Sequence, residues 1–133
     1  MVNVQDTAIW EAAPATPGRA RALVEQLLRR NGFAELVPTA TLLTSEVVTN
    51  AVLHVGGTIF VRVMCRPSGV RVEVEDTSEQ VPVPGDPSHL SASGRGLKLV
   101  DALATDWGAT REGAGKIVWF ELTAGAAPRA TSD

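Results

Sequence analysis

A single cysteine in 133 residues rules out a disulfide within the chain, and nothing in the cysteine usage points to an oxidising compartment. Cys65 reads as a small apolar residue of a strand. Basic residues are not in excess: 12 Lys and Arg stand against 15 Asp and Glu, for a formal net charge of -3. That balance argues against a surface built for a phosphate backbone, so nucleic acid is not an expected partner. The opening "MVNVQDTAIW" lacks a basic segment followed by an apolar run, and no window approaches the length of a continuous membrane span. A soluble, cytoplasmic protein with no membrane partner is expected. Internal repeats and low-complexity blocks are also missing. So are GxxxxGK[ST], a complete GxGxxG, HExxH, any Cys/His cluster and a GxSxG elbow, which removes P-loop, Rossmann, protein-held zinc and α/β-hydrolase readings.

What the chain does have is 44% hydrophobic and 20% charged residues, the content of one globular domain with a sizeable core. "TAIWEA" from Thr7 to Ala12 alternates weakly, as a short strand would. In "TPGRARALVEQLLRRNG", Thr16 can cap, Pro17 suits the first helical position, and Ala20, Leu23, Val24, Leu27 and Leu28 recur at helical spacing until Asn31-Gly32 stops them. A second helix is predicted from Pro38-Thr39 through His54 to the Gly56-Gly57 stop. "TIFVRVMCR" and "GVRVEVED" are β-branched, alternate in period two and are joined by "PSG", an antiparallel hairpin. Thr77 to Ser93 is a long, mostly non-periodic stretch of the kind used for lids or linkers. "GRGLKLVDALATDWG" becomes a helix after its glycines, "GKIVWFELTAG" is a final strand, and residues 124–133 read as a frayed tail. The order, helices then a hairpin, a helix and a last hairpin, predicts an α+β two-layer sandwich with helices on one face of a mixed or antiparallel sheet, in one domain with its core at about residues 7–123.

The chemically informative stretch is "SEVVTNAVLH". Glu46, Asn50 and His54 recur at every fourth residue, spanning an arc of about 80° on a helix. Leu42 and Leu53 flank them on one side, Leu43 and Val47 on the other, so the stripe is expected inside the apolar face. A buried carboxylate without partners is costly, so Glu46 either meets a partner group or lines a wet, charged cavity. His54 taken alone reads more often as an ordinary helix-end histidine than as a group with a specific role. "VEVED" ends on Asp76, a turn former or an acidic group presented to the long loop. In "SGRGL", Gly94 and Gly96 precede a helix, which is common in itself and also gives bare N–H groups where an anion could sit.

Taken in order, Glu46-x-x-x-Asn50-x-x-x-His54, then Asp76-Thr-Ser78, then Gly94-Arg95-Gly96-Leu97 resemble the Bergerat ATP-binding fold of the GHKL superfamily, and in particular the small anti-sigma-factor serine kinases and their actinobacterial relatives. The resemblance spans roughly residues 7 to 123. It implies a mixed, mainly antiparallel sheet covered on one face by helices, with ATP and Mg²⁺ as cofactors. It assigns Asn50 to the Mg²⁺ bridging the ATP phosphates and Glu46 to the proton of an incoming nucleophile. Asp76 and Ser78 fall to the adenine side, and Gly94, Arg95, Gly96, Leu97 and Lys98 to the phosphates. His54 lies where relatives often carry His or Arg. Ser78 replaces a glycine, Ala92 stands at the place of a second-box glycine, and Ile117 stands where relatives often have a Thr.

The implied partners are an anti-anti-sigma protein, phosphorylated on serine, and a sigma factor; relatives commonly form homodimers. A histidine kinase would need an added dimerisation helix, and topoisomerase or chaperone relatives would need a much longer chain. The other function carried forward is a non-catalytic switch, ATP-bound or ATP-independent, acting by docking alone.

Overall fold

The computed structural model describes residues 3–54, 57–76, 96–112 and 115–125. The elements are β1 (Val4–Glu11), α1 (Thr16–Arg30), a 3-10 turn (Ala34–Leu36), α2 (Val37–His54), β2 (Thr58–Arg66), β3 (Gly69–Asp76), α3 (Gly96–Leu103), β4 (Asp106–Glu112) and β5 (Gly115–Thr123). Five strands form one sheet in the order β1-β2-β3-β5-β4. All four pairings among the described residues are antiparallel, so the sheet as described is not mixed. The long stretch from Thr77 and the tail from 126 lie outside the described residues.

Period-two alternation decides which side of the sheet is covered. Val61, Val74 and Val118 share one register row, Val63, Val72 and Phe120 the next, and Cys65, Val70 and Leu122 the third. These side chains pack with Ala20, Val24, Leu27 and Leu28 of α1, with Ala40, Leu43, Val47 and Val48 of α2, and with Val100 of α3. Each such Val or Leu taken out of water contributes roughly 1.5–3 kcal/mol, which makes this face the main source of stability. Burial also raises the pKa of the Cys65 thiol.

The opposite face is held by charge. Arg71 donates to Glu73 at 2.9 Å and to Glu121 at 2.8 Å, and stacks 4.0 Å from the centre of the Trp119 ring. Burial pulls the Arg71 pKa down, but its hydrogen bonds and charge contacts with Glu121 and Glu73 outweigh that and hold it above the ordinary value. Trp119 lies over Gly108 of β4, where a Cβ would come within 2.8 Å of the indole, so glycine there allows the close approach.

Three local expectations change. Thr16 does not cap α1; its hydroxyl donates to the Glu11 carbonyl at 2.7 Å and accepts from the Ala13 amide at 3.0 Å, latching the β1–α1 connection instead. The helix after the glycines stops at Leu103 rather than running to Gly108, because Asp106 onward pairs with β5. β1 begins at Val4, earlier than Thr7, since its pairing with β2 extends to Cys65. The α1 stop is as expected, with Gly32 at φ 84 and the Asn31 side chain donating to the Leu27 carbonyl at 2.8 Å. The segment Ala34–Leu53 has a mean hydropathy of 1.3 and 20 residues, enough by length and composition to cross a membrane. Here its apolar face packs against α1 and the sheet, as in the core helix of a globular fold.

Candidate functional site

Three elements converge at one end of the molecule. α2 carries Glu46, Asn50 and, as its last residue, His54; β3 ends on Asp76; α3 starts at Gly96 and packs against α2. Gly94, Arg95 and Ser78 lie outside the described residues, as does Ala92. His54, Gly96 and Leu97 are placed by their backbones, and Lys98 is exposed in the first turn of α3. Positive charge in that turn adds to the helix dipole, a combination suited to an anion.

The α2 stripe is not embedded in the buried face. Leu42 and Leu53, which were expected to wall it in, are 41% and 61% exposed, whereas Leu43 and Val47 are buried. Glu46 and Asn50 are half-buried, on the shoulder where the core face meets the solvent face. The reason is azimuth: at about 100° per residue, the core of α2 is centred on Ala40, Thr44, Val47 and Ala51, and the stripe falls at its margin. Among the described residues, neither Glu46 nor Asn50 makes a hydrogen bond or ion pair. Their Cα atoms are about 6 Å apart along the helix. Beside them, Arg21 of α1 donates to the Ser45 hydroxyl at 2.9 Å, fixing the two helices together next to Glu46.

Asp76 differs from both. It is 3% exposed, is engaged in an interaction, and stands in register between Ile59 of β2 and Lys116 of β5. A carboxylate held this way at a strand end offers fixed acceptor geometry toward the helix layer. Lys116 is the neighbour that the sequence reading missed. Counting back in twos from Phe120 through Val118 would have put it on the helix face. The same count puts Ile117, which pairs with Glu75 and Thr110, on the opposite face, so β5 presents Lys116 and not Ile117 beside Asp76.

These residues suit Mg-ATP. The described residues hold no group of three His, Cys, Asp or Glu that could cage a metal. A lone amide oxygen at Asn50 matches a hard cation that takes its other ligands from phosphate and water. The half-buried, unengaged Glu46 and Asn50 leave polar groups free to meet such a ligand, and the buried Asp76 is an acceptor suited to an exocyclic amine.

Comparison with known proteins agrees with this fold. No curated protein matches the chain. Among solved structures, a histidine kinase domain from Erythrobacter litoralis EL346 blue-light activated histidine kinase is similar at 26% identity and a TM-score of 0.54, with 86% of this chain and 67% of that one covered. The family described as "Histidine kinase-like ATPase domain" matches residues 10–122, which include Glu46, Asn50, His54, Asp76 and α3. With that span covered and the five-stranded antiparallel α+β architecture in place, the chain belongs to the histidine kinase-like ATPase domain family, of the GHKL type.

Proposed function

We propose that the chain binds ATP with Mg²⁺ and, acting in the cytoplasm as one domain, transfers the terminal phosphoryl group to a serine of an anti-anti-sigma protein, so setting the availability of a sigma factor. The observation that carries this reading is the pair Glu46 and Asn50, half-buried one turn apart on α2 and without a partner among the described residues. A pair kept for stability would be solvated outright or satisfied by neighbours.

Bound Mg-ATP supplies the phosphoryl group and the metal's positive charge. Asn50 contributes an amide oxygen as a hard ligand and orients the phosphates. Glu46 accepts the proton of the attacking seryl hydroxyl, a role that needs a carboxylate one turn from the metal ligand. Asp76 accepts from the adenine amine, with Ser78 beside it in sequence. Gly96, Leu97 and Lys98 at the start of α3, together with Gly94 and Arg95 that precede them in the sequence, contribute amide N–H groups and positive charge to the phosphates. His54, four residues beyond Asn50 in the sequence, completes the motif in this scheme.

The test is thermal protection by Mg-ATP together with phosphate transfer to a purified partner. Asn50→Ala is expected to lose the ATP-dependent rise in Tm. Glu46→Gln is expected to keep that rise while transfer falls by about 10²-fold or more. Equal protection of wild type and Asn50→Ala would overturn the site. Regulation in cells that survives Glu46→Ala would leave the non-catalytic switch as the function.

A further inference from the structure

The edge of the sheet remote from β4 carries a second feature that nucleotide chemistry does not use. β1 pairs with β2 without interruption from Val4–Cys65 to Glu11–Thr58, and its other edge meets no strand among the described residues. It holds no Lys, Pro or bulge, and its guarding charges are confined to Asp6 and Glu11. Ile9 on it is 61% exposed. Between β1 and the outer side of α1 runs an open groove of about 670 Å³. Trp10, Ala22 and Leu23 supply apolar lining, and Arg19, Arg29 and Arg30 add charge. Arg29 is paired with Glu25 at 2.8 Å, so three arginines and one glutamate leave the groove at a net +2. This stands out in a chain whose formal charge is -3.

We infer that this groove and the free edge of β1 bind an extended protein segment that is acidic on one face and apolar on the other. An added strand would take its main-chain hydrogen bonds from β1. Because side chains alternate, every second one would point to the helix side, where Arg19, Arg29 and Arg30 favour carboxylates; the intervening ones would lie beside exposed Ile9 on the opposite face. Of the two acids on β1, Glu11 shares the Ile9 side by alternation and does not oppose the acidic row. Exposed Asp6 lies on the helix side, four residues before Trp10 and outside the groove lining, so the acidic row is expected to pair with the Trp10 end of the strand.

The experiment uses the full chain labelled with ¹⁵N and a capped heptapeptide of alternating glutamate and valine, with the lysine–valine peptide as control. The Trp10 indole N–H resonance, assigned by Trp10→Phe, reports the groove, since Trp107 and Trp119 lie on β4 and β5. The glutamate peptide is expected to shift the Trp10 signal and α1 amides, and the lysine peptide to leave them unmoved. Arg19→Glu combined with Arg30→Glu is expected to weaken binding by tenfold or more while the spectrum stays dispersed. Salt at about 1 M, which shortens screening to about 3 Å, should weaken it likewise. An unmoved Trp10 signal, or equal binding of both peptides, overturns the proposal. A Trp10 shift with protein concentration alone would give the edge to a second copy, and a larger shift with anionic vesicles would give it to a lipid surface; either result also overturns it.

Discussion

α1 and α2 lie side by side on the same sheet and bury similar aliphatic faces, yet their remaining surfaces are opposites. α1 turns Arg19, Arg21, Arg29 and Arg30 to solvent, so its polar residues sit where water stabilises them. α2 turns Leu42 and Leu53 to solvent and keeps Glu46 and Asn50 on the shoulder, half-buried and unengaged among the described residues. Burying an acid and an amide beside exposed leucine lowers stability twice over. A helix patterned for folding alone would exchange those positions. The departure from amphipathic patterning is therefore what singles out α2 as the helix to which the proposed function assigns its polar residues.

Changes in the shared core should treat the helices alike. Leu28→Ala in α1 and Leu43→Ala in α2, both 0% exposed, are each expected to cost about 2–5 kcal/mol in chemical denaturation. A loss below 1 kcal/mol at Leu43 would mean that α2 is not packed as described. Thr44→Val probes α2 further. Thr41 donates its hydroxyl to the Val37 carbonyl at 2.7 Å, but the Thr44 hydroxyl is buried with no partner among the described residues. Removing it should stabilise the protein by about 1 kcal/mol, read as a higher denaturation midpoint at unchanged slope. The smallest effect belongs to α1: Arg29→Ala breaks an exposed i,i+4 pair with Glu25 and should cost only a few tenths of a kcal/mol, less at high salt.

Much of this was legible in the sequence because strong periodicity and clear stops coincide. The β2–β3 hairpin, the end of α1 at Asn31-Gly32 and the last strand all follow from alternation or helix-stop chemistry. The fold class and the family follow from the order of elements with the Glu46/Asn50 spacing. The last hairpin follows from the order of elements, but the residues of its first strand, β4, escaped because an edge strand that gives up Gly108 to make room for Trp119 has little alternation left to read. The depth of the α2 stripe escaped for a different reason. Spacing fixes angles between residues on one helix, but only the neighbouring elements decide which angle faces inward. The pairing of Asp76 with Lys116 needed the register of β3 on β5, which no local pattern reveals.

β3 is the middle strand of five, bonded to a neighbour on each side from Gly69 to Asp76. Transient fraying in a sheet starts at its outermost strands, so excursions that release β1 or β4 pass this strand by. Asp76 would then keep its position through motions that repeatedly open the rim of the molecule, and under the proposed reading the recognition of a base would not have to wait for the periphery to settle.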